Sequence, residues 1–121
     1  MRSTILVHIV CGPENPTRAA LGLLVARTAL EAGHAVEVFI AGDGVGLLRP
    51  ETLDAGHGIG TGSLREHVDA LVAGGVTLHA SGMSSKARGL TVDQLAGLPV
   101  TMAPPSRLIE LMVLADRVVT Y

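Results

Sequence analysis

Three short stretches of this chain carry the side chains able to do chemistry. CGPENPTR holds Cys11, Asn15 and Arg18; AGDGVG sets Asp43 between glycines; HASGMSSKARG crowds Ser81, Ser84, Ser85, Lys86 and Arg88 together. Cys11, the only cysteine, is the strongest nucleophile available. A place just ahead of a helix N-terminus would favour its thiolate, whereas packing as a small buried hydrophobe would suppress it. The serines are weak nucleophiles without a positioned base, and no G-x-S-x-G elbow presents them. Capping the short turn that carries Lys86 and Arg88 is the commoner use of Ser84 and Ser85. Asp43 suits a ligand contact or a turn cap, and its flanking glycines favour the turn. Lys86, Arg88 and Arg18 are cations that could gather an anion where helices begin.

The other polar residues are less pointed. His8, His34, His57, His67 and His79 show no metal-ligand spacing and read as core or surface histidines, so no metal is expected. GHGIGTG, Gly56 to Gly62, has the glycines of a dinucleotide loop but no strand directly before it and no helix directly upon it. It reads as a mobile surface loop, useful at most as a lid carrying His57, and no cofactor is implied.

The elements that must position these groups alternate along the chain. Thr4 to Val10 is a β-branched apolar run of strand length. Asn15 followed by Pro16 marks a helix start, and the apolar segment to Ala32 before Gly33 completes that helix. Ala35 to Ile40 is a second strand, followed by a short turn or helix around Val45 to Leu48. Ser63 with Glu66 forms a capping box for a helix to Ala73, and Val76 to Ala80 is a third strand. Thr91 with Gln94 caps a short helix, Val100 to Ala103 is a fourth strand, and Arg107 to Leu114 is a helix opened by Pro104-Pro105-Ser106. Val118 to Tyr121 closes as a fifth strand. This alternation predicts one α/β domain over residues 1–121 with helices on both faces of a parallel five-stranded sheet. Ligand crevices in such sheets lie beyond the carboxyl ends of the strands, where all three chemical stretches fall.

Composition narrows the function classes. The chain has 121 residues, 48% of them hydrophobic, and counting its 15 glycines as apolar brings the share to about 60%, against roughly 45–50% for an ordinary globular domain. With mean hydropathy +0.47, one small domain has more apolar surface than it can hide, which predicts a homo-oligomer. One Phe, one Tyr and no Trp leave no stacking platform for single-stranded nucleic acid, and a net charge of −2 lacks a basic footprint. The first apolar run is too short to span a membrane and lacks a signal-peptide pattern. A lone cysteine suits a reducing compartment, so the expectation is a cytoplasmic protein without nucleic-acid or membrane partners.

GPENPTRA after the first strand, FIAGDGVGLL after the second, SGMSSKARGL after the third and LADRVVTY at the end resemble, in that order, the DsrE/DsrF-like sulfur-relay family. The similarity runs over essentially the whole chain. It implies a three-layer α/β/α subunit assembled as trimers or hexamers, whose active members carry a persulfide on a cysteine after the third strand and pass it to partner proteins. Ser81 and Ser84 stand where many relatives have a C-x-x-C-like pattern, although Lys86, Arg88 and Gly89 match. A serine hydroxyl cannot hold a persulfide. The resemblance therefore implies a non-carrier binding or assembly subunit with a small-anion or small-molecule crevice. Two alternatives stand beside it: a carrier or sulfurtransferase using Cys11 as the persulfide site, and an anion binder built on Lys86, Arg88 and Arg18. Whether any reaction is catalysed stays open.

Overall fold

The computed structural model describes residues 1–95 and 97–121. Strands β1 (Thr4–Ile9), β2 (Ala35–Ile40), β5 (Leu78–Ser81), β6 (Val100–Ala103) and β7 (Arg117–Thr120) form one sheet in the order β6-β5-β2-β1-β7. Every pair in it is parallel. The helices are α1 (Pro16–Glu31), α2 (Pro50–Ala55), α3 (Leu64–Ala73), α4 (Gly82–Ala87) and α5 (Pro105–Leu114), with 3-10 turns at Gly42–Leu48 and Val92–Leu95.

The order explains which face each helix covers. From β1 the chain steps through β2 and β5 to β6 in one direction, then crosses back to place β7 beside β1. Right-handed crossovers put helices of opposite step direction on opposite faces. The main core accordingly joins Val7, Ile9, Val38, Ile40, Leu78 and Ala80 of the sheet to Leu23 of α1, Leu71 of α3 and Leu95. The smaller core joins Leu6, Phe39 and Ala103 to Leu111, with Leu108 packed against it, all on the α5 side. The result is the expected three-layer arrangement. α1 lies close on the sheet because Gly22 lacks a side chain: a Cβ there would sit 3.2 Å from Ile9 and from the Tyr121 ring.

The two faces differ in polarity. Alternation puts His8, Glu37 and His79 on the α5 face, the side of Leu6 and Phe39. The His79 ring stacks on Phe39 at 6.3 Å, His8 meets Phe39 edge-on at 5.9 Å, and His79 Nε2 lies 2.9 Å from the Glu37 carboxylate. One ten-residue helix is too narrow to roof five strands, and this face stays partly open.

Several boundaries differ from the sequence expectation. The third strand runs Leu78–Ser81 rather than starting at Val76, because Val76 N is still bonded to Leu71 O at the close of α3. Pro50 opens α2, a helix the glycine-rich surroundings concealed. The GHGIGTG stretch is a small antiparallel hairpin, β3 (His57–Gly58) with β4 (Gly62–Ser63), not an unattached loop. It is docked on α1, where Ile59 N donates to Thr17 Oγ1 (3.1 Å) and Thr61 Oγ1 donates to Thr17 O (3.0 Å). The buried His67 ring holds it from below through Nε2 and Thr61 O at 2.7 Å.

Candidate functional site: the strand-end crevice

The carboxyl ends of β1, β2 and β5 feed three loops that lock onto one another. Gly12 packs directly against the Asp43 carbonyl, and a Cβ on Gly44 would lie 3.2 Å from the Cys11 carbonyl, so the first two loops touch backbone to backbone. Gly42 N donates to Ser84 Oγ at 2.9 Å, which fastens the second loop to the third. Ser84 N in turn donates to Ser81 Oγ at 3.1 Å. Ser81 is therefore the N-cap of α4, and Ser84 lies inside that helix. This corrects the expectation that Ser84 and Ser85 cap the turn. The reason is geometric: β5 runs straight into α4 at Gly82 with no loop between them, so the cap falls on Ser81.

Beside these loops lies an open cleft of about 350 Å³ lined by Pro13, Glu14, Asp43, Val45, Gly46, Arg49, Arg88 and Leu90. Its charges are balanced and interlocked. Arg88 reaches the Asp43 carboxylate at 2.9 Å and the Ser84 carbonyl at 3.1 Å, while Arg49 donates to the Arg88 carbonyl at 3.0 Å. The Glu14 carboxylate accepts from Gly12 N. Each guanidinium presents five N–H donors, so both arginines keep donors beyond those bonds.

The predicted site residues thus separate. Asp43 and Arg88 line the crevice; Ser81 and Ser84 form its scaffold. Asn15 caps α1 by accepting from Arg18 N at 3.2 Å, and the exposed Arg18 is not among the crevice-lining residues. Ser85 and Lys86 line a different cleft, toward β6. Cys11 shares the loop edge, but β2 stands between β1 and β5, leaving two strand spacings, roughly 9–10 Å, between the ends of Cys11's strand and Ser81's. It is only 8% exposed. Burial pushes its thiol pKa up, the Glu14 carboxylate adds to the rise, and the opposing pull of a backbone hydrogen bond and of Arg18 does not reverse it. Burial is the largest of these influences on the thiol.

Arg49 was not singled out from the sequence. The signal for it was Pro50, a helix-opening residue that puts Arg49 at a helix start on the same edge. Among the described residues no cluster of three or more His, Cys, Asp or Glu side chains is arranged to hold a metal ion. Among the described residues no helix is long and apolar enough to cross a membrane.

The model of the DsrE/DsrF-like family matches residues 5–121. The chain belongs to the DsrE/DsrF-like family. The solved structure of the YchN protein from E. coli superposes with a TM-score of 0.74 over 100% of both chains, at 17% identity. MTH1491 from Methanobacterium thermoautotrophicum, described as a protein of unknown function, gives a TM-score of 0.71 at 20% identity over 98% of this chain and 99% of its own. At such identities the likeness is one of fold. No curated protein matches the sequence. Within the DsrE/DsrF-like fold, the segment after β5 in this chain holds the Ser81 and Ser84 hydroxyls in structural bonds.

Proposed function

We propose that this DsrE/DsrF-like protein is a non-carrier, oligomeric binding or assembly subunit, with the crevice between Asp43, Arg49 and Arg88 as its small-anion site. The observation that carries the first half is the occupation of the loop hydroxyls: Ser81 Oγ holds the start of α4, and Ser84 Oγ holds the β2 loop. Both hydroxyls hold backbone in place, and neither can carry sulfur. The spare donors of two arginines at one cleft support the second half. Lys86 and Arg18, first considered for the same anion, have no place in it. Assembly is supported by the apolar side chains left exposed on α5, including Ile109, Val113 and Leu114. A cytoplasmic setting and a sulfur-relay protein as partner belong to the same proposal, by analogy with the family.

The alternative, Cys11 as a relocated persulfide site, draws on its being the sole thiol and standing on the functional edge. Its burial and raised pKa weigh against it.

Titration with sulfate and with inorganic phosphate, followed by backbone amide shifts, tests the crevice. Saturable shifts confined to residues 43–49 and 88–90, lost in Arg49→Gln, are expected. Shifts scattered over the surface, or unchanged by Arg49→Gln, would remove the anion site.

A further inference from the structure

We propose that the cleft between α4 and β6 is a separate ligand site for a short aliphatic carboxylate, with Lys86 as its counter-ion. It is an open cleft of about 350 Å³, a volume within the range of small-molecule sites. Leu90, Val92 and Met102 supply its apolar wall, while Gly82, Gly89 and Thr91 leave room at the rim. It shares only Leu90 with the arginine crevice.

Two features set it apart from an ordinary surface dimple. Lys86 has no salt-bridge or hydrogen-bond partner among the described residues, whereas Arg88, two positions on, is held by Asp43. Ser85, also lining the cleft, is 2% exposed and its hydroxyl has no hydrogen-bond partner. Leaving a buried hydroxyl unmatched is unfavourable, and native proteins seldom do it without a reason. Turned from its enclosed position toward the cleft, the Ser85 hydroxyl donates to a carboxylate oxygen drawn in by Lys86, the acceptor it lacks. One compact ammonium charge, with no guanidinium fork beside it, suits a monoanionic carboxylate better than a tetrahedral dianion. The apolar wall asks for an alkyl chain, not a second polar group.

The test is an NMR titration of the full chain with sodium hexanoate, sodium butyrate, 1-hexanol and inorganic phosphate, repeated on Lys86→Gln, Val92→Asp and Ser85→Ala. Lys86 and Val92 are exposed, so those variants are expected to keep the fold. Hexanoate should shift residues 82–92 and the Met102 methyl, and bind about tenfold tighter than butyrate, from two more buried methylenes. Lys86→Gln should weaken hexanoate about fivefold and leave hexanol unchanged. Val92→Asp should abolish binding of both. Ser85→Ala should raise the thermal midpoint of the free protein while weakening hexanoate.

The proposal is overturned if hexanoate and butyrate bind alike, if Lys86→Gln binds hexanoate as well as the parent, or if the shifts fall at Asp43 and Arg49. Phosphate should leave residues 82–92 unmoved apart from the shared Leu90 region. Phosphate shifts at Lys86 equal to those from hexanoate would mean charge attraction alone and equally overturn it.

Discussion

Ser81 and Ser84 show how a side chain is committed by its hydrogen bonds. Each oxygen accepts from a backbone N–H that no other group serves, Ser84 N in one case and Gly42 N in the other. Ser81→Ala is expected to cost about 1 kcal/mol as a lost N-cap, and Ser84→Ala a similar amount, both read from urea midpoints. A cost near zero would mean these hydroxyls are free. At Cys11 the same logic runs through burial. Native protein should react with a thiol reagent on the order of tenfold or more slowly than protein unfolded in urea, because both access and ionisation are suppressed.

His8 gives a pH dependence of known sign. Burial lowers its pKa, and its Nε2 is enclosed without a partner. The neighbours in register are Phe39 and Thr120, neither of which supplies a charge to hold the proton. Below the ordinary histidine value of about 6.5 the unfolded chain binds a proton that the folded chain refuses. Stability contributed by neutral His8 is therefore present above that value and is lost as pH falls from it toward the folded pKa. The urea midpoint should drop between pH 7 and pH 5, and His8→Phe should flatten that part of the slope.

Among the elements, the loops after β1 and β2 are the least forgiving. A Cβ at Gly12 would run into the Asp43 carbonyl, backbone that cannot swing aside as a side chain can. Gly12→Ala should cost about 3 kcal/mol, the upper range for overpacking, measured by denaturant unfolding. The contrast with Gly60 is useful. It sits at φ +73° with open space around its missing Cβ, so substitution there strains only the turn.

What was legible in the sequence follows the range of the interaction responsible. β1, α1, β2 and α3 declared themselves by local means: β-branched runs, Asn15 before Pro16, Ser63 before Glu66. The Asn15 and Ser63 caps were readable for the same reason. The hairpin was not, because its attachment is to Thr17, more than forty residues away, and no local pattern reports that. Local sequence suggests a cap for Ser84, whose oxygen instead accepts from Gly42 N, again a contact between distant stretches. The separation of Lys86 from Arg88 into two clefts follows from the roughly 200° of rotation that two residues of helical backbone put between them at the end of α4. Spacing showed that both cations share a loop but not which way each would face.

For the whole molecule, the unequal covering of the two sheet faces is the fact to explain. Among the described residues α1 and α3 roof one face and α5 alone covers the other, itself showing Ile109, Val113 and Leu114 to solvent. With mean hydropathy +0.47 in a 12.4 kDa chain, burial of that side between copies gives the composition a use. Light scattering should give a mass three or six times that of the chain. Val113→Glu should shift it toward the monomer while circular dichroism stays unchanged. A monomeric parent at micromolar concentration would remove assembly from the account.

The central proposal is that this chain carries no sulfur, and intact-mass spectrometry after exposure to a sulfane-sulfur donor tests it most directly. Native protein, with Cys11→Ser as the control, should emerge without the gain of roughly 32 Da that marks one added sulfur. A stable adduct of that mass on native protein, absent from Cys11→Ser, would contradict the claim and make Cys11 the carrier.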